Sequence, residues 1–402
     1  MNIRSNDSPW TDRGTVGFSA MRPLANDVKC EVAVVGAGVS GSLIAAHLAA
    51  KGVDVVVLDA GQPGAGSTSA CTALIQYELD EPLTRVAEKL GVEHAAAAYQ
   101  TTVASLDWMQ EFVQTLDDDC EITSRPTLLL ARRRWDKSAM QKEVAARNQA
   151  GIACDWVDAD ALEERFKIDR PGAIMSPLSF EIDPYRLTLA SLRQAVGQGC
   201  RVFAPAYVCD YHFDDTGVTL RTLHGARVRA KNVVVANGYE TPGFLRQGYG
   251  DLLSTWAVRS EPIDADTVWP ERQLMWEWGQ AYLYARLLPD NRVMYGGGDE
   301  NFIDPHKRDA MIAKKTAALT EQISDLIGTS VTPQCQWAGT FAQTKDGMPY
   351  IGEHKECPHA YLALGYGGNG VTFSLIAARV ITGMLCDDAT FAEPARLFRF
   401  DR

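Results

Sequence analysis

A chain of 402 residues has room for two or three domains, and its 46% hydrophobic and 22% charged residues are ordinary globular composition. The net charge of −12 argues against a general binder of nucleic acid or of anionic membranes, since both demand a positive surface. Nine cysteines, at positions 30, 71, 120, 154, 200, 209, 335, 357 and 386, are scattered and odd in number, which suits reduced thiols in a cytoplasmic enzyme better than a zinc site or a disulfide framework.

Residues 1–27 show neither hydrophobic period and read as an arm laid on the surface, with Trp10 and Phe18 to pin it. They also lack the apolar run of a signal peptide. No later stretch holds about 18 uncharged apolar residues, so no membrane span is expected.

The run Cys30 to Val35 meets Gly36-Ala37-Gly38-Val39-Ser40-Gly41, passes into a helical pattern ending near Gly52, and is followed by a second apolar run, Val53 to Leu58, that closes on Asp59. This is strand, glycine turn, helix, strand, acid. Gly36 permits the tight turn, Gly38 lets the backbone approach a pyrophosphate, and Gly41 lets the helix pack on the strand. Amides at the helix start then face the phosphates. Asp59 lies near the offset of about 20 residues expected of an acid that accepts ribose hydroxyls. The motif fits a nicotinamide or a flavin dinucleotide equally. His47, on the helix face with Leu43, Ile44 and Leu48, reads as a buried histidine rather than a ligand.

After Asp59 and Ala60, the small-residue segment through Gly66, Ser67, Thr68 and Ser69 offers amides and hydroxyls suited to phosphate, or else is a surface loop. Residues 88–116 follow a helical pattern, Leu128 to Ala131 a short buried strand, and Asp136 to Gln149 a charged, solvent-facing helix. Asp183-Pro184 opens a further helix through Val196. Arg201 to Phe203, Val208 to Phe213, Val218 to Thr222 and Arg227 to Arg229 read as a small antiparallel meander. It leads into a buried strand ending at Ala236-Asn237-Gly238, a second loop for the nucleotide turn if both strands share a parallel sheet.

Trp256, Trp269, Trp276, Trp278, Tyr282, Tyr284 and Tyr295 cluster in strand-like runs such as 281–288, as in an antiparallel sheet that packs on helices or walls a pocket. Arg259 and Glu261 are expected to begin a strand there, either on the substrate side or as an ordinary exposed ion pair. Near the end, Gly365 to Phe373 carries Gly367, Gly368, Asn369, Gly370, Val371 and Thr372 between a strand and a helix from Ser374 to Leu385. This is a second set of bare amides at a helix start, as a long dinucleotide requires.

On these blocks, together with Asp183-Pro184 and Asp290 to Gly297, the chain resembles the FAD-dependent oxidoreductases of the D-amino-acid oxidase superfamily, with glycine, sarcosine and gamma-glutamylputrescine oxidases among them, from Glu31 to about Leu385. The resemblance implies an α/β (α+β overall) protein: a Rossmann-like FAD-binding domain from residues 28–85, 155–245 and 333–402, and a substrate domain on a mostly antiparallel sheet from residues 86–154 and 246–332. It implies FAD held along Gly36 to Gly41, Asp59 and Ser67 to Ser69, with a backbone contact near Val208 and the flavin ring beside Gly367 to Thr372. The reaction implied is hydride removal from a carbon bearing an amine, with dioxygen or another acceptor taking the electrons.

Gly339 stands where sarcosine oxidases place the cysteine that bonds the flavin, and Cys335 is four residues away, so FAD is expected to be non-covalent. Phe341 stands where glycine-oxidase-like relatives place a carboxylate-binding arginine, which weakens the case for a simple alpha-amino acid. Gly368 to Phe373 and Trp337 to Gly339 look most like gamma-glutamylputrescine oxidases and favour an amine. Tyr282 and Tyr284, with Trp256 and Phe341, are the expected substrate wall; no general base is assigned. The alternatives are a flavin dehydrogenase of a 2-hydroxy acid or similar hydroxyl substrate, and a flavin-binding subunit of a hetero-oligomer.

Overall fold

The computed structural model describes residues 3–10, 21–240, 242–245, 248–280 and 282–402. Phe18 and the start of the run at Ala281 lie outside them.

Val28–Val35 is the centre of an eight-stranded sheet. Val55–Leu58 pairs parallel on one side and Arg227–Val235 parallel on the other, and Cys357–Leu364 joins Arg227–Val235 in the same direction. Valine-rich runs without alternation are what a parallel sheet buried on both faces requires. Register fixes the consequence. Val35 lies opposite both Leu58 and Val235, and Val235 opposite Leu362, so Gly36, Asp59, Ala236 and Gly365 all emerge at one edge. Loops at the carboxyl ends of parallel strands are where such sheets bind ligands.

Arg201–Phe203 departs from the expected meander. It pairs parallel with Val55–Leu58, and the antiparallel meander consists of Val208–Asp214, Gly217–Thr222 and the first half of Arg227–Val235. The helix Val39–Ala50 is buried on nearly every side, because the helices Pro184–Gly197 and Gly370–Leu385 flank it. His47 is buried as expected: its ring stacks on Phe112 at 4.8 Å and its Nδ1 lies 2.8 Å from the Leu43 carbonyl. Burial pulls its pKa down to about 4.

The second sheet has nine strands. In spatial order they are Arg4–Ser5, Pro333–Gln343, Asp251–Pro262, Arg292–Glu300, Leu283–Leu287, Leu274–Glu277, Thr127–Leu130, Gly172–Ser176 and Asp155–Asp158. All neighbours are antiparallel except Leu274–Glu277 with Thr127–Leu130. Strands at 155–158, 172–176 and 333–343 thus belong to this sheet, although the expected boundaries put them with the nucleotide sheet. The arm is likewise more than a surface strap. Arg4–Ser5 extends the sheet beside Ala338 and Gly339, and Trp10 is buried, donating from Nε1 to the Cys71 carbonyl at 2.7 Å.

Three further expectations are corrected. The helical stretch at 88–116 is two helices, Leu83–Leu90 and Val92–Val113, broken at Gly91, whose φ of 91° an L-residue adopts only with strain. Arg259 and Glu261 end a long strand rather than begin one, and Glu261 pairs with Arg292 at 2.9 Å. The helix Asp136–Gln149 has its expected bounds but is not wholly solvent-facing: Glu143 and Arg147 are fully buried. Arg147 Nε donates to Glu143 at 2.9 Å, and its Nη1 lies 3.5 Å from Glu78, also fully buried. Glu143 in turn accepts from the amides of Leu83 and Thr84, at 2.8 and 2.9 Å, and so caps the helix at Leu83 from a distant part of the chain.

Candidate active site

The nucleotide sheet's carboxyl edge and one face of the nine-stranded sheet enclose a cavity of about 920 Å³. Cavities of this order hold cofactors and drug-sized ligands. The helices Val39–Ala50 and Gly370–Leu385 both begin at its wall, each without a side-chain cap from its own N-cap residue, Gly38 or Asn369. Two positive helix ends therefore address one space.

The glycines are required by contact. A Cβ on Gly36 would stand 2.3 Å from the Ala236 carbonyl oxygen, and one on Gly41 would stand 1.8 Å from the Gly36 carbonyl oxygen. Gly36 thus seats the nucleotide turn against the second loop, and Gly41 seats the helix on the turn. The segment after Ala60 is no loose surface loop. Ser67–Ala70 is a short 3-10 helix, and Thr68 Oγ1 accepts from the Val39 amide at 2.9 Å, holding a hydroxyl at the helix start. Asp59 accepts from the amides of Ala37 at 2.6 Å and Gly61 at 2.8 Å. Burial raises its pKa, and these two amides oppose that shift. A carboxylate has acceptor capacity beyond two bonds, so hydroxyls can still be received there.

Of the residues singled out in the sequence, Gly36, Gly38, Val39, Ser40, Asp59, Ala60, Gly66, Ser67, Thr68, Val208, Ala236, Asn237, Gly238, Gly367, Gly368, Asn369, Gly370 and Val371 line the cavity, with Tyr282, Tyr284 and Phe341 on its opposite wall. Ala37, Gly41, Ser69, Thr372 and Trp256 do not. Ala37 and Gly41 act from behind, through the contacts above. Ser69 turns its hydroxyl to the carbonyls of Ala65 and Gly66, and Thr372 donates to the Gln76 carbonyl at 3.1 Å. Trp256 fails for a reason of parity. Its neighbours Thr255 and Ala257 face the cavity, so Trp256 points through the sheet into the opposite core, where its Nε1 donates to the Arg308 carbonyl at 3.1 Å.

Trp276, named in the sequence only within the aromatic cluster, lines the cavity, and two carboxylates there escaped the sequence reading. Trp276 packs edge-on against Tyr282 at 5.6 Å, and Tyr282 lies 6.1 Å from Tyr284. Asp80 and Asp299 join this wall. Asp80 is a clamp: Oδ2 accepts from the Gly368 amide at 2.8 Å and Oδ1 from the Tyr282 hydroxyl at 3.2 Å, linking the C-terminal glycine loop to the aromatic wall. A Cβ at Gly367 or Gly368 would stand 2.5 or 2.8 Å from its carboxylate, so only glycines admit it. Burial raises the pKa of Asp80, and that of Asp299 rises to about 6, through burial first and then repulsion from Asp80, against the Thr255 hydroxyl and Lys315.

The polar lining leaves atoms in want of a partner. Ser67 Oγ, Gln76 Oε1, Asn237 Oδ1 and Asp299 Oδ1 are buried at the cavity with no hydrogen-bond partner among the described residues. Buried polar atoms are seldom left so, and such a set fits a polar ligand with donors along its length. Ser67 Oγ and Asn237 Oδ1 stand on the nucleotide side, where the phosphates and hydroxyls of FAD would reach them, whereas Gln76, whose carbonyl accepts from Thr372, stands beside the C-terminal glycine loop. The residues present therefore fit that group.

This combination of a parallel sheet with two glycine-opened helix starts, closed by a mostly antiparallel sheet, defines a dinucleotide-dependent oxidoreductase. The chain belongs to the family described as FAD dependent oxidoreductase, whose profile matches residues 31–384. It is similar to the gamma-glutamylputrescine oxidoreductase of Escherichia coli, with 27% identity over 92% of this chain and 87% of that protein. It is also similar to the glycine oxidase of Geobacillus kaustophilus, with 24% identity over 89% of this chain and 92% of that protein. Among solved structures, L-proline dehydrogenase from P. horikoshii superposes with a TM-score of 0.78 at 17% identity, covering 94% of this chain and 99% of the other. Glycine oxidase from Geobacillus kaustophilus gives 0.72 at 20% identity, covering 90% and 94%. The α/β architecture and the FAD-dependent oxidoreductase class expected from the sequence both hold.

Proposed function

We infer that the protein oxidises the carbon–nitrogen bond of a small amine to an imine. The observation that carries this reading is the charge of the cavity wall. Among the described residues, the lining includes no lysine, arginine or histidine, while its aromatic wall carries two carboxylates, Asp80 and Asp299. A substrate carboxylate, on an amino acid or a 2-hydroxy acid, would enter without a cationic partner and against buried negative charge. An amine meets the opposite situation. Relatives acting on carbon–nitrogen bonds, by their names, support the same class.

Bound FAD would supply the hydride acceptor. The chain supplies position and dryness. Tyr282, Tyr284, Trp276 and Phe341 present apolar rings that keep water from the space between the wall and the Gly367–Gly368 loop. Asp80 fixes the distance between loop and wall through its two hydrogen bonds. The nine-stranded sheet acts as the substrate side and the eight-stranded sheet as the cofactor side.

The cofactor is held without a covalent bond in this reading. Gly339 lines the cavity and has no side chain to offer, and Cys335 does not line it. Cys71 does line it, but burial raises the pKa of its thiol and keeps it a poor nucleophile. Acid precipitation should leave the yellow colour in the supernatant. None of the nine cysteines is in a disulfide, which supports a reducing, cytoplasmic setting, and no described helix is long and apolar enough to cross a membrane. Dioxygen or another acceptor completes the cycle. Anaerobic mixing of the holoenzyme with amines and with 2-hydroxy acids tests the function: bleaching by amines is expected, whereas bleaching by hydroxy acids alone would overturn it.

A further inference from the structure

We propose that Asp299 is the seat of a second, positively charged group on the substrate, so that the preferred substrate is a diamine or an amine with a comparable distant cation. This rests on the amine reading above and narrows it.

The two wall carboxylates are not equivalent. Both oxygens of Asp80 are already engaged, by the Gly368 amide and the Tyr282 hydroxyl. Asp299 Oδ1 is buried, faces the cavity and has no hydrogen-bond partner among the described residues. The cation nearest to hand is committed elsewhere. Lys315 Nζ donates to the Gly298 carbonyl at 2.6 Å, pairs with Glu300 at 2.7 Å and lies over the Trp256 ring, on the far face of the sheet. The Thr255 hydroxyl and the charge of Lys315 ease this carboxylate only in part; a bare buried oxygen is costly, and an incoming cation removes that cost.

The surroundings suit an ammonium rather than a metal ion. Tyr284 and Tyr282 stand beside Asp299, and ring faces attract cations. Among the described residues no group of three or more histidine, cysteine, aspartate or glutamate side chains is arranged to hold a metal. The backbone is shaped to bring this carboxylate in. Gly296, Gly297 and Gly298 precede it, and a Cβ at Gly297 would stand 2.0 Å from the Tyr282 carbonyl oxygen while one at Gly296 would stand 2.4 Å from the Tyr284 hydroxyl. The strand can press against both tyrosines only because those positions are bare.

Charge also separates the two ends of such a substrate. The nitrogen that is oxidised must lose its proton before hydride leaves the adjoining carbon, so it cannot be the group held as a cation. A distant ammonium at Asp299 stays protonated and fixes the reach of the chain toward the Gly367–Gly368 loop.

Two measurements on the holoenzyme test this. In the first, butyltrimethylammonium, which presents a cation with no N–H to oxidise, is titrated against oxidised enzyme and followed by the flavin absorbance, with 1-pentanol as the neutral comparison. Wild type should bind the cation at least about tenfold more tightly than the alcohol, and Asp299→Asn should abolish that difference. In the second, kcat/KM is measured for α,ω-diamines of three to six carbons and for the matched monoamines. The diamine preference should be at least about tenfold in wild type and fall toward one in Asp299→Asn. Equal binding of cation and alcohol by wild type overturns the inference whether or not the variant folds. Amine turnover without diamine preference overturns it while leaving the amine function intact. Failure of every amine to bleach the flavin overturns the function, and the cation titration then still judges Asp299 by itself.

Discussion

Replacing Asp299 by asparagine should stabilise the apoprotein at neutral pH. The side chain is largely buried and its pKa stands at about 6, against an ordinary value of 3.8. The folded state therefore holds the proton more tightly than the unfolded state does. Stability from this group is fully present below pH 3.8 and is lost as pH rises through about 6. With about 1.4 kcal/mol for each tenfold change in proton affinity, the loss amounts to roughly 3 kcal/mol by pH 8. Asparagine mimics the protonated shape and never ionises, so the variant should exceed wild type by up to about 3 kcal/mol at pH 8 and match it near pH 4. Carboxylates remote from Asp299 titrate alike in both proteins and cancel in the difference, and the repulsion from Asp80 is already contained in the raised pKa of Asp299. The groups facing Asp299 are Asp80, Lys315, Thr255, Tyr282 and Tyr284, and none of them is changed. Urea denaturation of the two apoproteins from pH 4 to pH 8 measures the gap. A variant no more stable than wild type at pH 8, or a gap that stays constant with pH, would refute the reasoning.

The same titration should show in ligand binding: butyltrimethylammonium affinity for wild type should fall as pH drops through about 6, with no such fall in Asp299→Asn. Gly41→Ala should yield protein without flavin or no soluble protein, since its Cβ would overlap the Gly36 carbonyl; the ratio of flavin to protein absorbance reports it. Arg147→Met strands Glu78 and Glu143 in the interior and should cost about 3–5 kcal/mol in urea denaturation, far beyond the loss of a surface pair. Thr68→Val removes the hydroxyl at the start of the nucleotide helix and should lower apoprotein stability by about 1 kcal/mol and weaken FAD binding, read by equilibrium dialysis.

The nucleotide side was legible because its constraints are local. Gly36, Gly38, Gly41 and Asp59 lie within one βαβ unit, where each residue type answers to a turn, an approach or a contact a few positions away. The C-terminal loop was legible for the same reason, as a glycine run between a strand and a helix. The wall was legible only in kind. Aromatic density pointed to the right sheet, but which ring faces the cavity depends on strand parity, and parity depends on where a strand begins and on its register with its neighbours. Trp256 was misplaced by one step of that alternation, while Phe341, Tyr282 and Tyr284 fell on the expected face. The buried charge at Glu143 and Arg147 was invisible in the same way. A charged helix pattern says nothing of Glu78, whose carboxylate lies 3.5 Å from Arg147 across a separation of 69 residues.

Asp80 and Asp299 mark the harder limit. Asp80 sits in an unremarkable stretch, Glu78-Leu79-Asp80-Glu81, and acquires its role only when Gly368, 288 residues later, lays an amide 2.8 Å from it. Asp299 did carry a signal, the run Gly296-Gly297-Gly298 before an acid inside a strand, since glycines in a strand interior mark a close approach. What approaches closely could not be read from the run itself. It is the backbone of Tyr282 and the ring of Tyr284, so the glycines that weaken the strand also carry a carboxylate to the aromatic wall. The cofactor half of the site thus follows from rules shared by every dinucleotide fold. The half that selects a substrate depends on contacts between distant segments, and the free oxygen of Asp299 is the sharpest statement of that choice.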